Sequence, residues 1–266
     1  MGLKFEIWKL LFGSFEGKVK YQKFWNSLYK HACIGMNVGC GGDFNSSGES
    51  NAIKYLKDNI FDVGETLTVF DVGANIGDYA NNLLKSIPDC RIHCFEPAEK
   101  TFKKLVSNVK DSRVKFNNFG LSDEIANKNL YYDKEESGWA TLYQQKIPYY
   151  KVEFGKYETI ALKTIDDYCK ENDICRIDFL KIDVEGNEFK TLLGANRMIQ
   201  SDGIVAIQVE FGNNDIDARV FFADFWIMLK EKYRTYRICL DGLYEIKEYD
   251  EYLEIFSCTN FMFIHR

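Results

Sequence analysis

Three stretches of this chain are apolar along almost their whole length: TLTVFDV (66–72), IDFLKIDV (177–184) and GIVAIQVEF (203–211). A strand with one wet face alternates apolar and polar residues, so near-continuous runs of this length read as strands buried on both faces. CRIHCFE (90–96) and RVKFNNFG (113–120) read as two further strands. Helical periodicity follows most of them, over 77–86, 98–109, 187–200 and about 217–231. Alternating strands and helices imply an α/β chain with a mostly parallel sheet covered by helices on both faces. Right-handed crossovers then place the carboxyl ends of the parallel strands on one edge, where such sheets bind ligands.

That edge receives two features. The first strand runs into FDVGANIGDYA (70–80). A dinucleotide fingerprint needs Gly-x-Gly-x-x-Gly. Counted from Gly73, the chain has Asn75 and Asp78 at the later two places, so the fingerprint fails. Acid-x-Gly-x-Gly-x-Gly fits better, through Asp71, Gly73, Asn75 and Gly77. Asparagine tolerates left-handed backbone better than most residues and can replace the middle glycine. Such a loop suits S-adenosylmethionine, which has no pyrophosphate, and Asp71 is expected to meet the ligand's ammonium group. The second feature is Glu96, which ends the second strand before Pro97. A carboxylate there can accept both ribose hydroxyls. GLSD (120–123) ends the third strand, which places Ser122 and Asp123 at the adenine edge.

These segments in order, together with TIDDYC and DFLKIDVEGNEFKTLLGA, resemble the FkbM family of S-adenosylmethionine-dependent methyltransferases over roughly residues 66–211. The resemblance implies a Rossmann-like class I methyltransferase fold with a seven-stranded sheet. It also implies O-methylation, often of sugars or secondary metabolites. GMNVG and SSGE, within 35–49, are loosely similar to family members associated with surface polysaccharides. Residues 1–50 are expected to be a helical and loop extension of one domain, with the methyltransferase region over 51–266.

KIDVEGNEF (181–189) ends a buried strand yet carries three acids. Asp183 and Glu185 are two apart and share a face while the chain stays extended. Glu210 ends the next strand and is expected near the same pocket. A hydroxyl acceptor needs a base, and Asp183, Glu185 and Glu210 are the candidates. Three such carboxylates can also hold Mg²⁺, a reading not favoured over the base. Glu188 reads as an acid of the following helix's first turn, complementing its dipole. His265 reads as structural, and no partner is evident for His31 or His93.

The net charge of -6 argues against nucleic acid and leaves a small-molecule or glycan substrate. Residues 1–30 hold six lysines and two glutamates, a solvated helical face or a contact with a membrane or partner. No secretory or membrane-spanning stretch is evident, and eight cysteines without a C-x-x-C pair suit a reduced, cytoplasmic protein. Cys90, His93 and Cys94 are close in sequence, but adjacent strand residues point to opposite faces, which argues against zinc. Three rival functions remain: a methyltransferase for a phosphoramidate, lipid or secondary metabolite, a nicotinamide-dependent oxidoreductase, and a non-catalytic binding module. The acceptor is expected to meet 1–50, 128–157 and 211–217. Trp139, Tyr143, Tyr149 and Tyr150 there can stack on a sugar, although packing within a hairpin is the simpler account.

Overall fold

The computed structural model describes residues 3–40, 42, 44, 46–62, 64–144 and 154–266. Tyr149 and Tyr150 lie outside the described residues. Two helices, α1 (Leu3–Phe12) and α2 (Gln22–Gly35), precede α3 (Glu49–Asn59). The alternating part follows as β1 (Leu67–Val72), α4 (Asp78–Ser86), β2 (Cys90–Phe95), α5 (Glu99–Asn108) and β3 (Val114–Asn117). Three strands then depart from the alternation: β4 (Gly120–Leu121), β5 (Ala126–Tyr132) and β6 (Lys156–Lys163). It resumes with α6 (Ile165–Glu171), β7 (Ile177–Ile182), α7 (Glu188–Leu193), α8 (Asn196–Gln200) and β8 (Ile204–Phe211). The chain closes with α9 (Asn214–Ala218), α10 (Phe222–Leu229), β9 (Tyr233–Cys239), β10 (Gly242–Ile246) and β11 (Thr259–His265).

The main sheet has the order β10-β9-β11-β8-β7-β1-β2-β3. Its β1, β2, β3, β7 and β8 pair in parallel, while β11 runs antiparallel between β8 and β9. The chain fills the sheet outward from β1 to β3, then restarts on the other side with β7. The order therefore reverses between β1 and β7, and a ligand crevice opens there.

Apolar side chains divide by strand parity. Phe70, Val72, Leu180 and Ile182 pack with α6, α7 and α10 on one face. Val69, Phe179 and Ala206 pack with α3 and α4 on the other. A small sheet, β4-β6-β5, forms its own apolar cluster from Leu130, Ile160 and Leu162.

Several sequence expectations change in detail. The main sheet has eight strands, because β10 adds a hairpin edge to β9. The helix expected over 187–200 is two, since Gly194 passes so close to Ser122 that a Cβ would sit 2.0 Å from its carbonyl oxygen. The helix around 217–231 also divides, at Arg219 in left-handed backbone. Thr164 caps α6, accepting the Asp167 amide at 3.0 Å.

Candidate active site

The crevice is built by the β1 loop and the end of β7. Gly73, Asn75 and Gly77 all have positive φ, at 81°, 46° and 93°. A Cβ on Gly73 would lie 1.8 Å from the Asp183 carbonyl oxygen, so only glycine lets the loop pass over β7. One on Gly77 would strike Val109 and Leu105 of the neighbouring layer. Glu96 faces the loop. It accepts the amides of Asn75 at 3.1 Å and Ala98 at 2.9 Å, while burial raises its carboxyl to about 7.

Two adjoining cavities share Gly73, Asn75, Gly138 and Asp183 as wall. The first is a narrow slot of about 70 Å³. Glu96 and Asn187 line it, with apolar walls from Val72, Phe95, Pro97 and Leu121 and a cover of Leu130, Leu142, Ile160 and Leu162. The small sheet thus folds over the crevice and roofs it. The second is a polar basin of about 740 Å³, walled by Glu49, Tyr79, Lys181, Asn260 and the start of α4.

Lys181 explains the basin's chemistry. Asp71 and Lys181 are register partners, as are Lys181 and Gln208, so an acid, a base and an amide lie side by side across β1, β7 and β8. All three are buried. Lys181 Nζ lies 3.6 Å from Asp71 and 3.1 Å from Asp183. Burial acts to deprotonate it, but Asp183, Asp71 and Glu49 raise its pKa instead. Gln208 joins this row to α3 and α4, donating to Glu49 at 2.5 Å and accepting from Tyr79 at 2.9 Å.

The expected role of Asp71 therefore changes. It is fully buried, lines neither cavity and lies 3.6 Å from Lys181 Nζ. Ser122 and Asp123 also lie off both linings, and the Ser122 hydroxyl donates to Asp123. Gly120 and Leu121 of the same segment face the slot instead.

The three base candidates separate. Asp183 lines both cavities and its side chain is 37% exposed. Glu185 lines only the slot, in left-handed backbone with a φ of 56°, and accepts from the Asn214 amide. The turn at Gly186 ends the extended run, so Asp183 and Glu185 do not share a face in the way a continuing strand would dictate. Glu210 lines neither cavity and accepts from Cys258 Sγ at 2.9 Å. Burial, followed by the charges of Glu210 and Asp183, raises Glu185 strongly. Burial and Asp183 raise Glu210 to about 8. Glu188 accepts the amides of Val184 and Gly186, both at 2.8 Å, and so closes the loop it begins. Among the described residues no three or more His, Cys, Asp or Glu side chains are grouped to hold a metal. The histidines lie elsewhere: His93 bonds the Tyr168 hydroxyl at 2.7 Å and His265 meets Asp202 at 3.1 Å.

The sequence matches the Methyltransferase FkbM domain over residues 71–238. The chain belongs to that family. It is 30% identical over 142 residues to Methyltransferase 1 of Beauveria bassiana, covering 47% of this chain and 57% of that protein. It is 23% identical to the 2-O-methyltransferase NoeI of Sinorhizobium fredii, covering 49% and 58%. It is 25% identical to the hexuronic acid methyltransferase AglP of Haloferax volcanii, covering 62% and 64%. The matched segments span somewhat under two thirds of each of these relatives.

Proposed function

We propose that this protein is an S-adenosylmethionine-dependent O-methyltransferase acting on a sugar hydroxyl, with Asp183 as general base. The observation that carries the reading is the position of Asp183 on the wall between an apolar slot and a polar basin. The residues fit the cofactor. The slot is apolar where a purine would lie, Glu96 stands at the ribose position, and Asn75, whose buried Oδ1 has no hydrogen-bond partner, lines both cavities. When bound, the cofactor supplies an electrophilic methyl group. Small-molecule pockets typically measure about 300–1,000 Å³. The basin meets that size, whereas the slot must widen by movement of its cover around 137–142.

In this reading the basin takes the acceptor. Its hydroxyl donates to Asp183, which removes the proton as the oxygen attacks; such catalysis contributes about 10²–10⁴-fold. Lys181, anchored by Asp71, orients the Asp183 carboxylate from behind. Glu185 and Glu210 are worse placed: both are deeply buried, burial and neighbouring acids raise both carboxyls, and Glu210 lines neither cavity. The names of two relatives, a 2-O-methyltransferase and a hexuronic acid methyltransferase, support an oxygen acceptor on a carbohydrate.

The test is calorimetric titration with S-adenosylmethionine and, separately, NAD, followed by a methyl-transfer assay on free sugars, uronic acids and nucleotide-sugars. Binding of S-adenosylmethionine and gain of one methyl group by a saccharide are expected. Binding of NAD alone would point to hydride chemistry and sink the proposal.

A further inference from the structure

We infer that α1 and α2 form a docking hairpin for an anionic lipid surface. Its core is an aromatic clasp. The Trp8 ring lies 4.4 Å from Phe12 and 6.1 Å from Trp25, and the Trp25 indole donates to the Phe15 carbonyl at 3.1 Å. The clasp closes the hairpin on itself and leaves a second apolar set outside. Leu10 and Val19 are 86% and 89% exposed, and Leu11, Tyr29 and Ile34 are exposed with them. No residue of α2 is buried.

Charge selects the partner. Residues 1–30 carry six lysines and two glutamates, a surplus of +4. The whole chain is at -6, so residues 31–266 carry -10. Pairing two copies through this face would bring two positive surpluses together. An anionic bilayer neutralises them, and it accepts Leu, Phe and Tyr side chains at its interface. At 10 and 14 residues the helices are too short to span a bilayer, and lie along it.

The attachment gives the docking a consequence. Just beyond α2 the Asn37 amide donates to Ser47 and Ile238 carbonyls, and the Gly39 amide donates to Cys258 at 2.9 Å. Cys258 in turn touches Glu210. The hairpin is thus tied to the carboxylate edge of the sheet, and docking brings that edge close to the lipid.

The test is co-sedimentation of the full chain with phosphatidylcholine vesicles and with vesicles of equal parts phosphatidylcholine and phosphatidylglycerol. Strong binding to the mixed vesicles alone is expected, lost in molar salt. Each basic residue near such a surface multiplies binding by about fivefold. Lys18→Glu/Lys20→Glu/Lys23→Glu should therefore weaken it by about a hundredfold or more, and Leu10→Glu/Leu11→Glu should weaken it without changing the melting temperature. Equal weak binding to both vesicle types would overturn the inference. So would full binding by the triple variant, or a dimer in solution that Leu10→Glu dissociates while the wild-type chain ignores lipid.

Discussion

Two groups of carboxylates meet at the carboxyl edge of the sheet, and they are stabilised differently. Asp71, Asp183 and Glu49 surround the ammonium of Lys181. Glu185, Glu188, Glu210 and Asp215 have mainly neutral donors: Asn214, Cys258 and backbone amides. Burial, reinforced by neighbouring acids, pushes the members of the second group up, to about 7 for Glu188 and about 8 for Glu210. The difference shows how one strand end can supply both reactive and structural acids. Burial raises Asp71 and Glu49 as well, but there the charge of Lys181 opposes the rise, whereas the second set has mainly neutral donors against the same burial cost.

Removing the cation is the largest way to break this contrast. Lys181→Met should cost about 3–5 kcal/mol in chemical denaturation, because it strands a buried charge. Adding Asp71→Asn to it should recover part of the loss. No loss in the single variant would mean that Lys181 is dispensable. A smaller effect is expected at the slot. Glu96→Ala should weaken S-adenosylmethionine binding by roughly 10–100-fold, since hydrogen bonds to charged groups contribute about 1.5–3 kcal/mol. Calorimetry showing unchanged affinity would remove Glu96 from the ribose site.

The smallest effect concerns the protonated group. A carboxyl raised to about 8 in the folded chain binds its proton more tightly there than when unfolded. Its stabilising contribution is complete below the unfolded value near 4.5 and is lost as pH rises to about 8. Glu210→Gln should therefore melt like the wild type at acid pH and several degrees above it at alkaline pH. The opposite trend would show that Glu210 is anionic in the folded protein.

Much of this site was legible in the sequence. The strands β1, β7 and β8 announced themselves by apolar continuity, and GANIG and Glu96 by their places after strands. Lys181 was not singled out, although a lysine inside IDFLKIDV is a signal of a buried ion pair. Its partner depends on which strand lies beside β7, and strand order is a tertiary fact. The same limit explains Asp71. Its place just before the glycine loop suggested ligand contact, whereas the side chain is fully buried beside Lys181 of the neighbouring strand. The slot's roof was also hidden. YETIALKT (157–164) alternates as a strand does, but nothing in its sequence says that Ile160 and Leu162 close over the slot that Glu96 lines.

The central claim is that Asp183, paired with Lys181 on the wall of both cavities, does the chemistry and that Glu185 and Glu210 do not. It is tested most directly by initial rates of methyl transfer, on a saccharide found in the panel, for Asp183→Asn, Glu185→Gln and Glu210→Gln. The account predicts a loss of about 10²–10⁴-fold for Asp183→Asn with cofactor affinity retained, and less than about tenfold for the other two. Near-normal turnover by Asp183→Asn alongside collapse of Glu185→Gln or Glu210→Gln would contradict it.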